Sequence, residues 1–234
     1  MKTKKNDCLI IFVKWPEQGK VKSRLSVALN EDTVLDLYKC FVEDLLHTVK
    51  ESGIRPVIAF YPADEGASVR SWLGSEYRYV PQMGDELGER MKNAFQWAFA
   101  QECSPVVLIG SDFPDLPAEI IKDAFTSLND HDAAIGPALD GGYYLIGFRN
   151  DAFSPRIFDD IPWSSAFVFA RTMEILREEG CDVCQLRFWR DIDRPEDIID
   201  LIKRNRYNPF IRSKTMACLM RLEKYNTLFP EIEK

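Results

Sequence analysis

Long apolar runs are missing from this chain. Behind the basic start, Met1 to Lys5, the first apolar run extends only from Cys8 to Val13 before Lys14 interrupts it. That is too short for a signal-peptide core or a membrane span, so a cytoplasmic protein with no membrane span is expected. Histidine is scarce, His47 and His131 being the only two. The six cysteines, at 8, 40, 103, 181, 184 and 218, form no compact framework, and a chain of 234 residues does not need disulfides. The one CxxC, Cys181-Asp182-Val183-Cys184, has neither a second pair nor a histidine close in sequence, which favours plain thiols over a zinc site. Positive charge is not in excess: 30 Lys and Arg against 37 Asp and Glu give a formal net charge of -7. Nucleic acid is therefore not an expected partner. No repeat, low-complexity tract or linker divides the chain. One α/β domain over residues 1–202 is the simplest organisation, with 203–234 as a basic helical extension packed on it or making a homodimer contact.

What is present is organised around Val106-Val107-Leu108-Ile109-Gly110-Ser111-Asp112-Phe113-Pro114-Asp115-Leu116-Pro117. Four apolar residues run into a small pair and then a carboxylate, the pattern of a buried parallel strand delivering Asp112 at its carboxyl end. Open α/β sheets bind ligands at that end. A carboxylate there suits a hard divalent cation carrying phosphates, and it equally suits capping of the next helix; the stretch alone does not choose.

Around it, strands and helices alternate. Cys8–Val13 reads as a first buried strand, followed by the loop Lys14–Arg24, which holds four basic residues (Lys14, Lys20, Lys22, Arg24) against Glu17. The loop is not a P-loop: Lys14 stands where Gly should be, and Val21 where Ser or Thr should follow Lys20. The steps between Val34, Leu35, Tyr38, Phe41, Val42, Leu45, Leu46 and Val49 predict a helix over 31–50. Strands are expected at 56–61, 77–80, 133–137, 142–148 and 183–188, and helices at 67–73, 118–128 and 167–179. Another helix follows Gln82-Met83-Gly84-Asp85-Glu86, with its apolar face on Leu87, Met91, Ala94, Phe95 and Ala98. Ala138-Leu139-Asp140-Gly141-Gly142 reads as a hairpin or bulge whose amides stay open to a ligand. The stretch 151–165 shows no pattern. Pro195 opens the next helix, which would put Asp193 at its N-cap.

Several of these segments resemble one family, in order: Lys14-Trp15-Pro16-Glu17-Gln18-Gly19-Lys20-Val21-Lys22-Ser23-Arg24-Leu25, Leu87-Gly88-Glu89-Arg90-Met91, Gly110-Ser111-Asp112-Phe113-Pro114, Gly136 to Tyr144, Trp163-Ser164, and Asp191-Ile192-Asp193-Arg194-Pro195-Glu196-Asp197. They resemble a bacterial family of GT-A-like nucleotide-diphospho-sugar transferases, once a domain-of-unknown-function family. It includes proteins called arsenosugar-biosynthesis glycosyltransferase-like and is similar to the 2-phospholactate and molybdenum-cofactor guanylyltransferases. The resemblance covers residues 8 to about 200. It implies a GT-A-like three-layer α/β sandwich with a mostly parallel central sheet. It further implies that the basic loop, Lys22 and Arg24 with Lys14 and Lys20, meets donor phosphates, and that Gln82 and Gly88 lie by the nucleobase. Gly141, Gly142, Trp163 and Ser164 would meet the sugar or acceptor, and Asp112 and Asp193 would hold Mg²⁺ or Mn²⁺.

Three functions remain open at this point. A metal-dependent glycosyltransferase would take a nucleotide-sugar donor and a small-molecule acceptor, and needs a base, for which Asp140 and Asp191 are candidates. A nucleotidylyltransferase would move a nucleoside monophosphate from a triphosphate to a phosphorylated acceptor. A non-catalytic nucleotide-binding protein would have no evident need for two metal carboxylates.

Overall fold

A computed structural model describes residues 6–222. The basic start Met1–Lys5, and residues 223–234 of the basic helical extension, lie outside the described residues. The strands are β1 Cys8–Lys14, β2 Pro56–Tyr61, β3 Arg78–Pro81, β4 Val106–Ile109, β5 Ala133–Pro137, β6 Tyr143–Phe148 and β7 Val183–Gln185. The α-helices are α1 Glu31–Ser52, α2 Gly66–Leu73, α3 Leu87–Ala100, α4 Ala118–Ser127, α5 Val168–Glu178, α6 Pro195–Asn205 and α7 Lys214–Met220. The described residues divide into two compact units, one of residues 6–15, 48–110 and 116–190, the other of 16–47, 111–115 and 191–222.

The first unit carries a seven-stranded sheet in the order β3-β2-β1-β4-β6-β5-β7. β1 pairs in parallel with β2 and β4, β2 with β3, and β5 with β7; β6 runs antiparallel to both β4 and β5. A central parallel strand is covered on both faces, and β1 shows it: Leu9, Ile11 and Val13 are as fully buried as Ile10, which points the other way. Cys8, Ile10 and Phe12 share a core with Met91, Phe95 and Ala98 of α3 and Ile175 and Leu176 of α5. On the opposite face Val107 lies beside Leu9, and a Cβ at Gly147 would meet Val107 at 2.9 Å and Leu128, just past α4, at 3.1 Å.

Two parts of this unit differ from the sequence reading. β7 ends at Gln185 instead of Phe188, its parallel ladder with β5 closing at the Ile135–Gln185 pair. Past that pair the chain is tied by single bonds, among them Leu186 N to Ile135 O (2.8 Å), Trp189 N to Pro137 O (3.1 Å) and Leu139 N to Trp189 O (3.2 Å). The unpatterned 151–165 stretch buries Ile157, Phe158 and Ile161 in the core, and Phe153 and Phe158 stack on Phe95 at 5.4 and 5.8 Å between ring centroids. It is packed, but by short 3₁₀ turns whose spacing matches neither helix nor strand.

The second unit has its own core, built from Leu25, Val34, Leu37, Phe41, Ile192, Ile198, Leu201, Ile202, Met216 and Leu219. The helix α6 runs through Lys203 without a break, and of the tail positions Met216 and Leu219 are buried while Met220 is exposed. Among the described residues no helix is long and apolar enough to cross a membrane.

Candidate functional site

Three segments of the second unit bring four charged side chains together. Lys20 is not among them; exposed, it pairs with Glu17 at 2.8 Å. Lys22 stands just before a 3₁₀ turn over Ser23–Val27 with a left-handed backbone (φ 47°, ψ 38°), a conformation that costs a non-glycine residue roughly 1–2 kcal/mol. Its side chain is only 5% exposed, and its ammonium lies 2.9 Å from Asp112 Oδ1 and 3.8 Å from Asp193 Oδ1. Arg24 Nη1 donates to Asp193 Oδ2. The two acid-bearing segments are joined through the main chain, since Ile192 N donates to Asp112 O at 3.1 Å.

Helix capping explains neither acid. α4 begins at Ala118 behind Pro117, well past Asp112. Arg194, not Asp193, is the N-cap residue of α6, and Asp197 reaches back to accept from Arg194 N (2.7 Å) and Asp193 N (3.1 Å). With the amides taken by Asp197, the Asp193 carboxylate turns to Lys22 and Arg24. Asp191 precedes this pair in the same unit and is half-buried.

The remaining sequence candidates belong to the first unit. Lys14 closes β1, half-buried. The Gln82 side chain is buried and donates through Nε2 to Ala59 O at 2.8 Å. Gly88 opens the α3 face against Trp163: an added Cβ would lie 2.7 Å from the indole Nε1 and 2.9 Å from Phe158 O. Both line an open cleft of about 550 Å³ with Glu86, Glu89, Lys92 and Ile161. The base-side and acceptor-side candidates Gly88 and Trp163 are thus neighbours. Ser164, beside Trp163, has a left-handed backbone (φ 64°). On the β5–β6 turn, Asp140 Oδ1 accepts from Gly142 N at 2.9 Å, and Gly141 (φ 92°) lies so close to the Ala166 backbone that a side chain there would collide with it. Gly141 O also accepts from Phe169 N at 2.8 Å, at the start of α5.

Residues 45–165 match the family described as an uncharacterized protein conserved in bacteria (DUF2064). The chain belongs to this family. A crystal structure from Desulfovibrio desulfuricans G20, provisionally named a nucleotide-diphospho-sugar transferase, is 41% identical and superposes with a TM-score of 0.91 over 97% of this chain and 98% of its own. A 2-phospho-L-lactate guanylyltransferase of Methanoculleus marisnigri is 24% identical over 184 residues, 77% of this chain and 76% of its own length. A nucleotidyl transfer protein from Methanothermobacter shares the fold, at TM-score 0.55 and 12% identity over 86% of this chain and 98% of its own. The mixed α/β fold is that of the nucleotidyl- and sugar-nucleotide transferases, and the protein is a transferase.

In this DUF2064 chain the loops that carry the candidate residues rest on side chains that sequence reasoning passed over. Asp115 accepts from Arg204 Nε (2.6 Å) and Nη2 (2.9 Å) and from Asn205 Nδ2 (2.7 Å), fastening the Ser111–Asp115 segment to α6. Its only signal was a second acid three residues after Asp112. The 82–86 loop hangs on α3: Arg90 donates to Gly84 O (3.1 Å) and Asp85 O (2.7 Å) while lying 4.0 Å over the Tyr61 ring, and Asn93 donates to Met83 O (2.8 Å). Among the described residues no three His, Cys, Asp or Glu side chains converge as a metal cage. The donor set at Asp112 and Asp193 nevertheless fits a hard cation. Both acids direct an oxygen to one ammonium, and a site that offers two carboxylates and leaves other positions to phosphate and water is of the kind Mg²⁺ favours.

Proposed function

We propose that the protein transfers a sugar from a nucleotide-sugar donor to a small-molecule acceptor with the help of a divalent cation. The observation that supports this is the Lys22, Arg24, Asp112 and Asp193 cluster, two cations and two carboxylates drawn from three segments onto one point. Lys22 and Arg24 bind the donor phosphates, with Lys14 and Lys20 adding positive charge on the approach. Asp112 and Asp193 hold Mg²⁺ or Mn²⁺, which when bound neutralises charge on the departing diphosphate. Gln82 and Gly88 take the base, and Trp163, Ser164, Gly141 and Gly142 the sugar or acceptor. The acceptor oxygen bonds to the sugar carbon as the carbon–oxygen bond to the diphosphate breaks, and the acceptor proton passes to Asp140 or Asp191.

Nucleotidyl transfer is the second reading, favoured by likeness to a guanylyltransferase over 77% of the chain. There a phosphorylated acceptor attacks the α-phosphorus of a triphosphate and no base is required. Thermal unfolding against nucleoside triphosphates and nucleotide-sugars, each with and without Mn²⁺, separates the two. A ligand at ~100 times its dissociation constant adds about 2.7 kcal/mol. Metal-dependent stabilisation by one nucleotide-sugar, with little from triphosphates, is the expected outcome; stabilisation by a triphosphate alone replaces it with nucleotidyl transfer, and silence throughout removes both.

A further inference from the structure

The Lys22 ammonium stands where two carboxylates converge. It lies 2.9 Å from Asp112 Oδ1 and 3.8 Å from Asp193 Oδ1, and among the described residues it pairs with no other acid. The Lys22 side chain is 5% exposed, whereas those of Asp112 and Asp193 are 45% and 28% exposed. A buried ammonium thus faces two carboxylates that solvent reaches. The backbone at Lys22 lies outside any helix or strand and is left-handed, tied to the following turn by Leu25 N donating to Lys22 O at 2.9 Å. A strained residue of this kind stays in place only while its surroundings hold it, and for the Lys22 side chain the holding contacts are the two ion pairs.

Arg24 completes the set by pairing with Asp193 Oδ2, so the four side chains carry two positive and two negative charges and sum to zero. A neutral cluster has little pull on a free divalent cation, and the oxygens that such an ion would need already face Lys22. A cation that arrives together with a diphosphate meets a different balance. Its charge is matched by that of the diphosphate, and the ammonium displaced from Asp112 has an anion to pair with.

We propose that Lys22 is an internal counter-ion that keeps free divalent cation off Asp112 and Asp193, so that the donor is bound as its metal–diphosphate complex. This deepens the transfer reading above and rests on it for the identity of the donor. Lys22 leaves the carboxylates for the diphosphate as the complex enters and returns to them when it departs. Arg24, 61% exposed and on the other oxygen of Asp193, need not move. No covalent bond changes in the exchange.

Two measurements on the full-length protein test this, and neither is an activity. In the first, Mn²⁺ bound without nucleotide is counted by electron paramagnetic resonance. Wild type should bind it weakly and Lys22→Met about tenfold more tightly, while Lys22→Met with Asp112→Asn should do no better than wild type, because the freed carboxylate is then gone. The second uses wild type alone and decides even where a variant fails to fold. Brief acetylation of amines, read by peptide mass spectrometry, should find Lys22 slow beside Lys20, whose side chain is 62% exposed. Millimolar Mn²⁺ should speed Lys22 several-fold and leave Lys20 unchanged, and inorganic pyrophosphate added with the Mn²⁺ should slow Lys22 again. Equal Mn²⁺ affinity in wild type and Lys22→Met would overturn the proposal, as would a constant Lys22 acetylation rate while Mn²⁺ binds in an Asp112-dependent way. A gain of affinity in Lys22→Met together with silence in the nucleotide thermal panel would support the counter-ion role while retiring the transfer reading, so the two failures are distinguishable.

Discussion

Replacing Asp115 by alanine removes three hydrogen bonds that hold the Ser111–Asp115 segment, and with it Asp112, against α6. The Asp115 side chain is 1% exposed, and the Arg204 guanidinium facing it is 27% exposed. Breaking a buried pair by deleting one partner costs about 3–5 kcal/mol, because the remaining charge keeps its desolvation without its counterion. Arg204 recovers some hydration at its exposed edge, so about 2–4 kcal/mol is the expected loss. In a chain of this size each kcal/mol moves the midpoint by roughly 2–4 °C, which predicts a fall of about 4–16 °C by calorimetry at matched buffer. Two further variants check the reasoning. Asp115→Asn keeps an acceptor oxygen and should lose less. Adding Arg204→Met to Asp115→Ala should return part of the loss, since no guanidinium is then left without its carboxylate. A midpoint for Asp115→Ala within about 1 °C of the wild type would refute the account.

Two other substitutions probe the candidate site. Asp112→Asn preserves shape and should fold as the parent does while losing metal-dependent nucleotide stabilisation in the thermal panel; equal affinity with and without Mn²⁺ in both proteins would remove Asp112 from the metal role. Gly141→Ala places a methyl group against the Ala166 backbone at φ 92°, so a loss of about 2–4 kcal/mol is expected in denaturant unfolding. A loss below about 0.5 kcal/mol would show that the turn moves away from Ala166 without strain.

The parts of this molecule that a sequence displays are those whose logic is local. β2 and β4 stand where their apolar runs end, and α3 buries Met91, Ala94, Phe95 and Ala98 at the spacing that predicted its inner face, although Leu87 stays exposed at its first turn. Long-range pairing leaves no such trace. Lys22 meets Asp112 and Asp193, and Asp115 meets Arg204 across 89 positions, so which charges neutralise which is settled by the fold alone.

Asp193 shows how a local rule fails for a local reason. Its position before Pro195 matches a capping pattern, but the proline fixes the helix start at residue 195 and moves the N-cap to Arg194. An arginine side chain has no acceptor to offer the first-turn amides, and the reciprocal half of the cap then comes from Asp197, which accepts from both Arg194 N and Asp193 N. One carboxylate does the structural task from inside the helix and leaves the other to Lys22 and Arg24. Asp193 and Asp197 therefore have separable effects. The capping acid governs how α6 begins, and Asp193 governs the charge balance at the cluster, with Asp112 joined to it through Ile192 N.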